Sequence, residues 1–151
     1  QKITLFFCAG AIERQTGKEK ISEMAGIGYK MPITMGAFTI ACLGFIGLPL
    51  LAGFITVWHL SLGAFQAGKP IFIIVLLVST ILNAAYWFPI IYQAYFQESL
   101  DDTEVREAHW TLLYPTVICA LCVIGLGTLS AMPGLPLSVV RAAVRFIFKG
   151  L

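Results

Sequence analysis

Charged side chains are missing from three long stretches of this chain. No Asp, Glu, Lys or Arg occurs between Lys30 and Lys69, from Pro70 to Gln97, or from Trp110 to Val140. Across all 151 residues only 12% are charged and 58% are hydrophobic, with a mean hydropathy of +0.85. A soluble domain carries about 25% charged and about 45–50% apolar residues, so this chain could not cover its apolar surface in water. The net charge is only +2, too small to point to nucleic acid. The two His and eight acidic residues show no spacing that suggests a metal site. There are four cysteines. Cys119 and Cys122 make a C-x-x-C, a redox or metal spacing, but cysteine is an ordinary small hydrophobe in an apolar helix, and that reading is preferred.

A membrane span needs roughly 20 apolar residues to cross a hydrocarbon core of about 30 Å. Its backbone groups must bond internally, so charge-free runs of this length are helices. The expected class is an all-α polytopic membrane protein forming a single membrane domain over residues 1–151.

The chain opens with a partial helix, residues 1–12, whose mostly apolar run of ten residues from Ile3 to Ile12 is too short to cross. The chain is therefore expected to begin partway along a helix, as a piece or visible part of something longer. A polar loop spans 13–30, with a turn of helix near Ile21–Met24. The next run, 31–68, holds 38 residues. As one straight helix it would measure about 57 Å, too long for one crossing, yet it is too short for two plus a turn. Gly47-Leu48-Pro49, followed by Gly53, should break it. One discontinuous span with halves near 33–47 and 51–66 is expected. Unwound backbone at that depth is tolerated only against protein or water, and such breaks commonly line transporter sites.

A further span is expected at 71–96, with a kink at Pro89. An acidic loop follows at 97–109, and another span at 110–131. Tyr92, Tyr95, Trp110 and Tyr114 fall at the loop-side ends of these two spans, where an aromatic belt belongs. Ser138, Arg141, Arg145 and Lys149 form one polar stripe, so 137–150 reads as an amphipathic helix at the interface in preference to a short span. Five Lys and Arg on the side of the long loops (Arg14, Lys18, Lys20, Lys30, Arg106) against four on the other (Lys69, Arg141, Arg145, Lys149) do not fix orientation.

Few residues suit ion chemistry. Lys2 is either a buried cation with a proton to exchange or a helix-end residue snorkelling to the surface. His59 is of the residue type suited to proton shuttling, although a lone His is commonly a hydrogen-bonded interior residue. Asn83, with Ser79, Thr80 and Tyr86, either supports a water wire or bonds a neighbouring helix. Thr34, Thr39 and Thr56 mark the broken span in the same open way.

Three ordered motifs carry a family resemblance. Lys2-Ile3-Thr4-Leu5-Phe6-Phe7-Cys8-Ala9-Gly10-Ala11-Ile12 resembles the "FKALLFLCAGAI" helix of proton-antiporter-like membrane subunits. Met31-Pro32-Ile33-Thr34 and Gly47-Leu48-Pro49-Leu50-Leu51-Ala52-Gly53-Phe54 are similar to that family's "MPLT … GIPPLxGF" broken helix. Leu82 to Tyr92 resembles the "LNAAYFLPIVYRAFF" helix of the cation/proton antiporter D-type branch. Relatives of this kind serve respiratory NADH:quinone oxidoreductase, membrane-bound hydrogenases and multi-subunit cation/proton antiporters. The likeness covers residues 1–96; the last third matches only in hydropathy.

The resemblance implies the C-terminal part of an antiporter-like fold of about fourteen helices built on inverted repeats, with one discontinuous helix and a C-terminal amphipathic helix. It implies a multi-pass subunit of the prokaryotic inner membrane, with the long loops towards the cytoplasm. That subunit would not be an enzyme by itself and would bind no redox cofactor. Its partners would be other membrane subunits, the N-terminal part of its own subunit, lipid, and protons or Na+, with no nucleic acid. Lys2 falls on a lysine of the family's proton path. The family's "GFxSK", however, reads Gly53-Phe54-Ile55-Thr56-Val57 here. Val57 cannot bind a proton, and His59 lies two positions on, about 200° around the helix. Either His59 or another subunit completes the path, or the subunit keeps the fold without transport.

Overall fold

The computed structural model describes residues 1–17, 20–97 and 107–129, and every regular element among them is helical. In chain order these are α1 (Lys2–Thr16), a 3-10 turn (Ile21–Glu23), α2 (Ile27–Lys30), α3 (Pro32–Ile46), α4 (Ala52–Gln66), α5 (Ile71–Phe96) and α6 (Trp110–Leu129). α1 continues past the apolar run, because nothing in Glu13–Thr16 stops a helix before Gly17. There the Gly17 N–H donates to the Glu13 carbonyl at 2.7 Å. Hydropathy marks where the apolar stretch ends, and the helix itself ends one turn later. The amphipathic stretch expected at 137–150 and most of the acidic loop lie outside the described residues.

α3 is the centre of the packing, touching α1, α2, α4, α5 and α6. It buries Thr34, Met35, Ala37, Phe38, Ala41, Cys42 and Gly44. Cys8, Ala11 and Ile12 of α1, Ile90 and Ala94 of α5, and Leu113 and Ala120 of α6 complete the core. Many of these are small, which lets helix backbones approach closely in the manner of membrane bundles.

The outer surface is apolar. α5 and α6 are long and apolar enough to cross a membrane. α5 buries only Ile90 and Ala94, and α4 buries no residue at all. Leu77, Ile81, Leu82, Trp58 and Leu60 are all more than half exposed. Such a surface suits lipid or other membrane helices. Tyr92, Trp110 and Tyr114 are also exposed, as a belt requires. Tyr95 turns inward, since Gly28 leaves room only for its ring: a Cβ on Gly28 would sit 2.7 Å from Tyr95 Cδ1.

Candidate functional site at the helix break

The interruption between α3 and α4 is built from two consecutive turns. α3 closes on Gly47, which has the left-handed φ of 83°. Its N–H donates towards the Leu43 and Gly44 carbonyls (3.1 and 3.2 Å), and the Leu48 N–H donates to Leu43 O at 3.2 Å. This is a Schellman closure, which satisfies the last carbonyls of a helix. The Leu51 N–H then donates to Leu48 O at 3.2 Å, around Pro49 and a Leu50 with φ 76°. Proline second and a positive φ third is the pattern of a type II turn. Leucine occupies a place that favours glycine, at a cost of about 1–2 kcal/mol. The halves run 32–46 and 52–66, close to expectation.

Glycines clamp this break from both sides. A Cβ on Gly53 would lie 2.9 Å from the Gly44 carbonyl carbon and nearer still to its oxygen. A Cβ on Gly127 would lie 2.6 Å from Leu51 Cα and against the Leu50 carbonyl. The start of α4 is therefore pressed between the last turn of α3 and the C-terminal end of α6.

Beside the clamp lies a cleft of about 360 Å³, lined by Gln1 and Thr4 of the α1 end, Gly53 and Thr56 of α4, and Cys119 and Cys122 of α6, among others. Thr4 is fully buried, and its hydroxyl has no hydrogen-bond partner among the described residues. The Gln1 amide nitrogen sits 3.3 Å from where a Gly53 Cβ would be.

The other candidates fall into separate places. Lys2 is exposed and lines not this cleft but an apolar cavity of about 580 Å³, together with Asn83, Tyr86 and Trp87. Val57 lies beside the break, its Cγ2 3.7 Å from where a Gly47 Cβ would be. His59 is half-buried, with Nδ1 2.9 Å from the Ile55 carbonyl. Against a carbonyl acceptor, Nδ1 is the donor of that contact. Ala52, Thr56 and His59 follow i, i+4, i+7 spacing, so His59 continues the cleft-facing side of α4 one turn on. Thr34 lies at the opposite end of α3, about 20 Å from Gly47 by helical rise. Its hydroxyl donates to Glu107 Oε1 at 2.5 Å. Thr39 donates to its own helix, at Met35 O. Cys119 and Cys122 are both free thiols, and no group of three or more His, Cys, Asp or Glu suited to a metal occurs among the described residues.

Three residues that the structure makes prominent escaped the sequence reading. Glu107 accepts from the N–H groups of Ile33 and Thr34 (3.1 and 3.2 Å) as well as from the Thr34 hydroxyl, capping α3 from a distant loop. A clue was present, since Met31-Pro32 starts a helix without any Ser, Thr, Asp or Asn to cap it. Gln1 and Thr4 stand where the family string "FKALLFLCAGAI" has Phe and Leu, and they line the cleft with Gly53 and Thr56.

Comparison with known proteins agrees with this geometry. The family model described as "NADH:quinone oxidoreductase/Mrp antiporter, TM" matches residues 1–83. NADH-quinone oxidoreductase subunit N of Desulforudis audaxviator is 47% identical over 93 residues, covering 62% of this chain and 19% of the relative. Subunit N of Dehalococcoides mccartyi is 31% identical over 117 residues, 78% of this chain and 24% of the relative. F(420)H(2) dehydrogenase subunit M of Methanosarcina mazei is 29% identical over 126 residues, 82% of this chain and 25% of the relative. The chain thus spans about a fifth to a quarter of the length of these relatives. Their names are those of subunits N and M, so the D-type branch expected from Leu82–Tyr92 is narrower than these matches carry. An apolar helical bundle with its central span interrupted at Gly47–Leu51, matched over more than half its length by one family, makes this chain a multi-pass membrane protein belonging to the NADH:quinone oxidoreductase/Mrp antiporter transmembrane family.

Proposed function

We propose that the chain forms part of a membrane subunit in a multi-subunit, proton- or Na+/proton-translocating complex, and contributes part of the ion path. The observation that carries this reading is the helix break at Gly47–Leu51 inside a charge-free run. Unwound backbone at membrane depth is tolerated only against protein or water, and such breaks commonly line transport sites. Lys2 would relay protons along that path, from the cavity it lines together with Asn83. His59, one turn beyond Thr56, would be a second residue of the path. The driving redox reaction would belong to partner subunits, and this chain would hold no redox cofactor. Its partners would be the N-terminal part of the same subunit, neighbouring membrane subunits and the lipid of a prokaryotic cell membrane.

The test is Lys2→Ala in the intact complex, followed by dye-reported proton uptake into inverted vesicles. Uptake should fall while the complex still assembles; unchanged uptake would remove Lys2 from the path. Val57 supports a second reading, a structural subunit with the fold but no transport. Val57→Lys and His59→Ala separate the two. An altered proton yield from either variant favours a conducting path, and no change from both favours the structural subunit.

A further inference from the structure

The four cysteines divide into two pairs. Cys8 and Cys42 are completely buried, and the Cys8 thiol already donates to the Thr34 carbonyl at 3.4 Å. Cys119 is half-buried and Cys122 exposed, both as free thiols. Spacing alone reads this C-x-x-C as packing, but its surroundings do not. Both cysteines line the cleft of about 360 Å³, beside Val123 and Leu126 on the same face of α6. Side chains three apart on a helix have Cβ atoms about 5–6 Å from each other. Their Sγ atoms can close to the roughly 3.8 Å that two thiolates span on a tetrahedral ion with bonds of about 2.3 Å. The cleft also holds oxygen donors. Thr4 Oγ1 is fully buried, without a hydrogen-bond partner among the described residues, and the side chains of Gln1 and Thr56 share the lining. Among the described residues that lining carries no Asp, Glu, Lys or Arg.

Charge selects the kind of ion. An uncompensated charge in an apolar site is costly, so a neutral complex is favoured. Two thiolates balance one divalent ion and would leave a monovalent ion such as Cu+ with an excess negative charge. Mg2+ and Ca2+ take oxygen ligands and not thiolate. We propose that Cys119 and Cys122 bind a thiophilic divalent ion of the zinc class, with the Thr4 hydroxyl as third ligand, so that the ion ties α1 to α6 beside the start of α4. On binding, each S–H bond is replaced by a bond from sulfur to the ion, and two protons leave to solvent. No electron is transferred and no oxidant is needed. Thr4 stays neutral and supplies a lone pair; water or the Gln1 carboxamide oxygen fills the fourth position. Because protons are released, binding tightens as pH rises. The site is independent of whether the complex moves ions.

The test is metal protection of the two thiols in the intact complex, read peptide by peptide so that cysteines of other subunits do not interfere. After chelator treatment, N-ethylmaleimide should label Cys119 and Cys122 and leave Cys8 and Cys42 unmodified. Added Zn2+ should slow labelling of Cys119 and Cys122 at least tenfold, with the same half-protecting concentration for both, and Mg2+ should not. That concentration should fall as pH is raised. In Cys119→Ser the protection of Cys122 should be lost or need at least tenfold more Zn2+. Thr4→Val keeps the shape and removes the hydroxyl, so several-fold more Zn2+ should be needed, and Thr4→Ser should restore the original value. Thiols that stay unlabelled without metal, labelling indifferent to Zn2+, or equal protection of Cys122 in Cys119→Ser would each overturn the proposal. An unchanged half-protecting concentration in Thr4→Val would overturn the bridge from α6 to α1.

Discussion

Replacing Glu107 by Gln tests how the central helix is held at its start. The first four N–H groups of a helix lack partners within it, and α3 begins at Met31 with no side-chain cap of its own. Glu107 supplies the missing acceptors for Ile33 and Thr34 from 74 and 73 residues away, and its negative charge lies at the positive end of the α3 dipole. A hydrogen bond to a charged group contributes about 1.5–3 kcal/mol, and loss of an N-terminal cap costs about 0.5–2 kcal/mol. Gln keeps one acceptor oxygen but turns an NH2 towards a donor, so a loss of about 1–2 kcal/mol is expected. That corresponds to an opening equilibrium about 5–30-fold more populated. Hydrogen exchange of the Ile33 and Thr34 amides, followed by mass spectrometry on the assembled complex, should accelerate by that factor. Exchange at the far end of α3, near Leu43, should change much less. Unchanged exchange at Ile33 and Thr34 would refute the cap.

Two further substitutions probe the break. Gly53→Ala places a methyl against the Gly44 carbonyl, so α4 must shift. Overpacking of this kind costs about 1–3 kcal/mol, and the complex should show a lower Tm and reduced transport; wild-type values for both would contradict the clamp. At position 50 the left-handed φ should make Leu50→Gly more stable than Leu50→Val by about 1–2 kcal/mol, read as the Tm difference between the variants. The reverse order would argue against the turn.

The parts of the fold written in local chemistry were legible from the sequence. Gly47 and Pro49 each dictate a backbone conformation, so the break could be located to within a residue or so of where it occurs. The charge-free runs gave α3 to α6 for the same reason. What was illegible depends on distant neighbours. Glu107 looked like one more acid in a loop, because its partners at Ile33 and Thr34 are remote in sequence. Thr34 read as a polar lining candidate for the broken span, yet it serves the capped start of α3. Tyr95 shares the spacing of an interfacial residue and was claimed by Gly28 instead. Lys2 and Thr4, two positions apart on one helix, open onto different cavities. Periodicity separates such faces but does not say what each one meets.

The most direct test of an ion path through this chain is proton movement in vesicles bearing the intact complex with Lys2→Arg and Lys2→Ala. Arginine keeps the positive charge but does not release its proton at physiological pH, so a structural or electrostatic role tolerates it and a proton-exchanging role does not. The account expects both variants to lose most of the proton yield per turnover while assembly persists. Full pumping with Lys2→Arg would contradict proton exchange at this residue.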